Sequence, residues 1–173
     1  AEGMTSKVRG LEVAKRNAND AISLAQTAEG ALDTLTNNVQ RIRELAVQSA
    51  NGSLSDADRA HLQKEVDQLS FENKRIVENT SFNGQALLNK ATGATTDFTL
   101  QVGANNGETI ALKIDGVNDI NSIGAAAGDV DISTQAGAQA LLGTSAADGS
   151  GATLDDDLFN LNASRATLGS YQN

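Results

Sequence analysis

The sequence predicts a mainly α fold: an elongated long-helix bundle that carries a small β-hairpin and irregular loops. Three observations predict it. An apolar heptad runs through the first 49 residues, aromatic residues make up 3% of the chain, and there is no proline. With so few large rings, Ala, Leu, Val and Ile must do the packing, which suits helices lying close along a shared seam. Without proline, only Gly, Asn and Asp punctuate the chain.

Placing heptad position a at Met4 puts Met4, Leu11, Ala18, Ala25, Leu32, Val39 and Ala46 on one line. Position d takes Lys7, Ala14, Ala21, Ala28, Leu35, Ile42 and Ser49. Only Lys7 and Ser49, at the two ends, are polar, far fewer than a composition 39% hydrophobic would place there by chance. The pattern predicts one helix over 4–50, a rod of about 70 Å, with Met4, Leu11, Ala18, Ala25, Leu32, Leu35, Val39 and Ile42 as its packing seam.

Asn51-Gly52 is the expected stop, with Gly52 in a left-handed conformation. Ser55 and Asp58 have the spacing of a capping box, so a second helix is expected over 56–78. Its stripe is Leu62, Val66, Leu69 and Ile76, with Asn73 as a polar member, and the short turn implies antiparallel packing on the first helix. Residues 79–84 carry turn chemistry, with Phe82 as an apolar anchor.

The period then changes to two. Phe98, Leu100 and Val102 alternate with Thr99 and Gln101, Ile110, Leu112 and Ile114 alternate with Ala111 and Lys113, and Gly103–Gly107 reads as the turn of a hairpin over 97–114. Residues 115–153 are rich in Gly, Ala, Ser, Asn and Asp and are expected to be a short, variable outer region with loops. Within it Ser133 could cap a short helix to about Leu142. A last helix is expected over 154–173, with Asp155, Asp156 and Asp157 complementing the dipole in its first turn.

The formal charge of −9 disfavours nucleic acid and anionic membranes as partners. No apolar run is long enough to insert into a membrane, and with no cysteine there are neither disulfides nor thiolate metal sites. Catalytic chemistry is equally scarce. The single histidine, His61, stands beside Leu62 without nucleophilic or acidic partners at catalytic spacing, which reads as a solvated surface histidine. No residue is nominated as catalytic, no metal or cofactor is expected, and the chain reads as a non-enzyme. Asn51-Gly52-Ser53, Asn79-Thr80-Ser81 and Asn162-Ala163-Ser164 match the N-glycosylation sequon, a pattern common by chance. The N-terminus AEGMTSKVRG has no apolar core of a cleaved signal, leaving open residence inside the cell, another export route or a missing start.

Several stretches resemble a known family. Residues 10–32, GLEVAKRNANDAISLAQTAEGAL, are similar to the N-terminal core of bacterial flagellins. So are Val39 to Asn51, the Phe82-Asn83-Gly84 turn and Phe98 to Glu108. Asp131 to Ala140 and Asn162 to Asn173 resemble the approach to the family's C-terminal core helix. By this resemblance, residues 1–114 are the N-terminal core and 154–173 the start of the C-terminal core helix.

The resemblance implies a secreted, extracellular structural protein of the motility filament, exported unfolded with a chaperone through a dedicated channel and stacked against other flagellin subunits in coiled-coil fashion. It also implies family segments before Met4 and after Asn173 that pair in the filament's inner tube, so these residues alone are expected not to polymerise. The loop Gly143 to Ala152 interrupts a stretch expected to be helical in the family. The family core is further recognised by the vertebrate innate receptor Toll-like receptor 5, and its motif carries onto Gln40, Arg41, Leu45, Gln48 and Glu65. Arg41, Leu45 and Gln48 are spaced four and three apart, as on one exposed helix face offset from the seam. A flagellin-like cell-surface protein binding polysaccharide or host ligand, or a hook-associated junction protein, remain the alternatives; for the first, 115–153 offers no aromatic residue.

Overall fold

A computed structural model describes residues 1–124, 130–143 and 153–172. The heptad forms a single helix, α1 (Glu2–Ser49). Ala50 ends it in ordinary right-handed geometry, and Gly52 is not among the residues with positive φ. The expected left-handed stop is therefore not what ends the helix. Arg59, 5% exposed, does this work instead. Its Nε donates to the Ser49 carbonyl and its Nη2 to the Asn51 carbonyl, both at 2.8 Å, while Nη1 meets Asp56 at 2.9 Å. A cation on the last carbonyls complements the helix dipole and replaces the missing intrahelical donors.

The capping box of Ser55 and Asp58 starts α2 (Asp56–Asn79) as expected, and α2 runs antiparallel to α1. Val66, Asn73 and Val77 are its buried line, with Leu62, Leu69 and Ile76 partly buried beside it. Two short strands, β1 (Ser81–Phe82) and β2 (Gln85–Ala86), close through Asn83 and Gly84, both at positive φ, the signature of a two-residue hairpin turn. Phe82 packs on the core edge, and Leu87 and Leu88 are fully buried just after it.

The hairpin consists of β3 (Thr95–Gln101) and β4 (Thr109–Asp115), paired antiparallel with Phe98 opposite Leu112 and Thr96 opposite Ile114. Its inward face lies on α1, and β4 also packs on the last helix. Next to it Gly116 passes so close to Lys90 that any Cβ would overlap the Lys90 carbonyl.

Residues 115–124 are irregular in path but are not a loose excursion. Val117, Ile120 and Ile123 are buried, the last in a single turn, α3 (Asn121–Gly124), and Val130 and Ile132 are buried as well. Low-complexity composition concealed isolated aliphatic residues that plug the open side of the α1–α2 pair. Polar stitches hold this segment. Gln63 accepts from Ile132 N at 2.7 Å and donates to the Val130 carbonyl at 2.9 Å, and Ser49 Oγ donates to the Ile132 carbonyl at 2.5 Å. The polar end of the seam at Ser49 is thus satisfied inside the core. A short helix, α4 (Gln135–Leu141), is capped by Thr134 rather than Ser133, whose amide and hydroxyl bind Asp131. The loop Gly143 to Ala152 falls mainly outside the described residues.

The last helix, α5 (Leu154–Tyr171), starts at a capping box of Thr153 and Asp156. It runs antiparallel to α1: Asp155 pairs with Arg43 at 2.9 Å, Arg165 with Asp33 at 2.6 Å, and Gln172 reaches Glu29. This explains the fate of the seam. Ala25, Leu32, Leu35, Val39 and Ile42 are buried where α2 and α5 flank α1, and Ala18 is half-buried. Met4 and Leu11 are 75% and 56% exposed, and the expectation that they pack in the seam is corrected. Among the described residues, what lies beside the first third of α1 is the hairpin, through Asn17 and Gly10.

Truncating the buried half of the seam should therefore be costly and truncating the exposed half should not. We expect Leu35→Ala to destabilise the fold by about 2–5 kcal/mol and Met4→Ala to change it by no more than about 0.5 kcal/mol, measured by urea denaturation.

Candidate functional site

The five residues carried over from the family motif lie on α1 and α2 near one another, but not all at the surface. Arg41 on α1 donates through Nε to Glu65 on α2 at 2.9 Å and through Nη1 to Glu44 at 3.2 Å. The bond to Glu65, then that to Glu44, holds the guanidinium charged and raises its pKa above the ordinary value. Gln40 and Gln48 are exposed on α1. Leu45 is not: at 1% exposure it belongs to the core, and its expected place on an exposed face is corrected. With α2 on one side, α5 on the other and the Ile132 segment beneath, the buried stripe of α1 is wider than a and d alone. Leu45, Ala46 and Ser49 all turn inward.

What remains exposed is a ridge of Gln40, Arg41, Glu44, Val47 and Gln48. Val47 is 52% exposed and forms, with Gln40, Arg43, Glu44 and Leu158, a shallow groove of about 500 Å³ toward α5. The ridge is clamped on both flanks by Arg41–Glu65 and Arg43–Asp155. Polar tips around one exposed aliphatic side chain suit recognition of another protein; none is placed for bond-making chemistry.

A second constellation lies in the core. Asn38 donates to Asn73 Oδ1 at 2.9 Å, Asn73 donates to the Ser122 carbonyl at 3.0 Å, and Ser122 N donates to Asp157 Oδ2 at 3.1 Å. This relay links α1, α2, α3 and α5 through the side chains of Asn38, Asn73 and Asp157 and the backbone of Ser122. Asn73 was visible in the sequence as a polar break in an apolar line, whereas nothing in the sequence marks Ser122 or Asp157 as its continuation. The run Asp155–Asp157 does sit in the first turn of α5 as expected, yet Asp156 and Asp157 are 1% and 3% exposed. Burial pushes the Asp157 carboxyl up to about 6, against the opposing pull of Ser122's amide and with Asp156 adding repulsion.

His61 is exposed. The Gly103–Gly107 stretch joins two strands, and among the described residues no group of acidic or histidine side chains could hold a metal ion. Nor is any described helix long and apolar enough to cross a membrane. Of the three sequons, Asn51 lies in the exposed α1–α2 turn, Asn79 ends α2, and Asn162 lies on the exposed side of α5.

Residues 1–92 match the family described as the bacterial flagellin N-terminal helical region. The chain belongs to the bacterial flagellin family. A flagellin of Xenorhabdus nematophila is 52% identical over 118 residues, covering 68% of this chain and 37% of the relative. Flagellin D of Vibrio anguillarum is 51% identical over 140 residues, covering 77% and 36%. The chain thus spans roughly a third of the length of these curated relatives. Among solved structures, Bacillus cereus flagellin superposes with a TM-score of 0.71 at 32% identity, over 90% of this chain and 81% of that one. FliC from Burkholderia pseudomallei shares the fold, with a TM-score of 0.64 at 24% identity over 88% and 98%. Flagellins are structural proteins and not enzymes.

Asp157 generates a pH test. In the unfolded chain its carboxyl has its ordinary value of 3.8, and in the fold about 6. Between those values the folded state holds a proton the unfolded state has released. The resulting stabilisation is full below about 4 and is lost as pH rises through about 6. Asp157→Asn cannot titrate. Its stability relative to the unsubstituted protein should improve by on the order of 2 kcal/mol between pH 4 and pH 7, read from denaturation midpoints across that range; a constant difference would refute the assignment.

Proposed function

We propose that this chain is the core segment of a subunit of the extracellular bacterial flagellar filament and serves motility. The observation that carries the reading is the exposed apolar line on the first part of α1: Met4, Val8, Leu11 and Ile22 share one face and are 45–75% exposed, on a helix whose seam from Ala25 to Ile42 is buried. An apolar line left open on a rigid helix invites a protein partner, and in a family of stacking subunits the partner is another flagellin segment. Travel through an export channel with a chaperone belongs to the same reading.

The test is filament formation by the full-length parent. Leu11→Asp there should abolish regular filaments in electron micrographs while leaving circular dichroism unchanged, because Leu11 contributes nothing to the monomer core. Residues 1–173 alone should stay unpolymerised; regular filaments from the Leu11→Asp protein would overturn the role given to this line, and filaments from residues 1–173 would overturn the expectation that they do not polymerise alone.

A second reading, recognition by Toll-like receptor 5, is favoured by the ridge that holds Gln40, Arg41 and Gln48 exposed with Arg41 aligned by Glu65. In it Leu45 acts from below, setting the position of the helix face. Arg41→Ala should reduce signalling at least tenfold in a receptor-reporter assay without unfolding the protein, a loss of about 1.4 kcal/mol of recognition; unchanged signalling would remove this reading.

A further inference from the structure

Three Asn-Gly pairs occur in the chain, at 51–52, 83–84 and 106–107. After asparagine, glycine leaves the following backbone nitrogen unhindered by a side chain. The fold treats the three pairs differently. Asn51 lies in the exposed turn between α1 and α2, and its side-chain carbonyl oxygen accepts from Ser53 N at 3.1 Å and Ser53 Oγ at 3.0 Å. Two donors on that oxygen draw electron density from Cγ and are in place to stabilise an oxyanion formed there. Among the described residues nothing accepts from the Gly52 N–H, so that nitrogen is free to react.

The other pairs lack this arrangement. Asn83 and Gly84 are locked at φ 51° and 81° between the paired strands β1 and β2. Asn106 is exposed in the β3–β4 loop, and among the described residues no donor engages its side-chain oxygen.

We propose that Asn51 is a site of spontaneous covalent modification, deamidating through a succinimide closed by Gly52. Gly52 N gives its proton to a solvent base and bonds to Asn51 Cγ. The side-chain nitrogen takes a proton from solvent, its bond to Cγ breaks, and ammonia leaves. One water then opens the ring. Attack at Cγ restores an ordinary backbone with Asp at 51, and attack at the main-chain carbonyl carbon gives isoaspartate. Arg59 Nη2, 2.8 Å from the Asn51 carbonyl oxygen, stabilises charge on that second carbonyl and meets the carboxylate that forms there. The product therefore changes the same contact that ends α1, one turn from Gln48 on the exposed ridge.

Peptide mapping by mass spectrometry over a time course at mildly alkaline pH tests this on the folded protein and on the same protein in urea. The unfolded chain should convert its three Asn-Gly pairs at comparable rates. In the folded protein Asn51 should outpace both Asn83 and Asn106. Ser53→Ala, at an exposed position where circular dichroism can verify folding, should slow Asn51 about fivefold in the folded state, the rate equivalent of one neutral hydrogen bond, and leave the unfolded rate unaltered. The proposal is overturned if folded Asn51 converts no faster than the other two, or if Ser53→Ala leaves its folded rate as it was.

Discussion

One apolar stripe on α1, from Leu24 to Ser49, is the constraint on which the rest of the structure depends. α2, α5, the hairpin and the buried residues of 117–132 all reach the core by packing on it or on its immediate cover. A chain with 3% aromatic residues cannot build a compact centre from a few large rings. It spreads burial along a helix of 48 residues, where each fully covered Leu or Ile contributes about 1.5–3 kcal/mol. Elongation is thus a consequence of composition, and so is the long helix surface left for neighbours.

Apolar side chains along a seam define a face but tolerate sliding, because one aliphatic pair resembles the next. The polar contacts remove that freedom. The Asn38–Asn73–Ser122–Asp157 relay, the Gln63 clamp on Val130 and Ile132, and Arg59 on the end of α1 each demand one longitudinal position. Burying such groups is costly unless their partners are present, so they penalise every other register. Asp157 shows the cost directly in its raised pKa. The surface ion pairs Arg41–Glu65 and Arg43–Asp155 add little stability of their own, but they set the direction of side chains on the ridge.

Local signals in the sequence were legible where the physics is local. The Ser55–Asp58 capping box, the start of the last helix at Leu154, the alternation through Phe98 and Ile114 and the turn before Gly84 need only neighbours in the chain, and each appears where the pattern places it. Misreadings arose where a distant partner decides. Gly52 looked like a helix stop, but Arg59 provides the carbonyl partners that a left-handed residue would otherwise supply. Leu45 lies off the a and d lines, and the buried stripe of α1 is wide enough to include it beside Ala46 and Ser49. The residues carried over from the family motif lie near one another on α1 and α2, while their spacing said nothing about which of them face water.

By itself the sequence determined a long helix, its antiparallel partner and a hairpin, because periodicity, caps and turn residues act over a few positions. Only the tertiary structure decided that Met4 and Leu11 stand open while Leu35 and Ile42 are sealed, that Val117, Ile120, Ile123, Val130 and Ile132 close the core, and that Asp157 lies desolvated within it. A heptad specifies which side of a helix is apolar. How far along that side a partner extends depends on where other elements end and which residues they bring, and that information is spread over positions more than a hundred residues apart, as with Arg43 and Asp155.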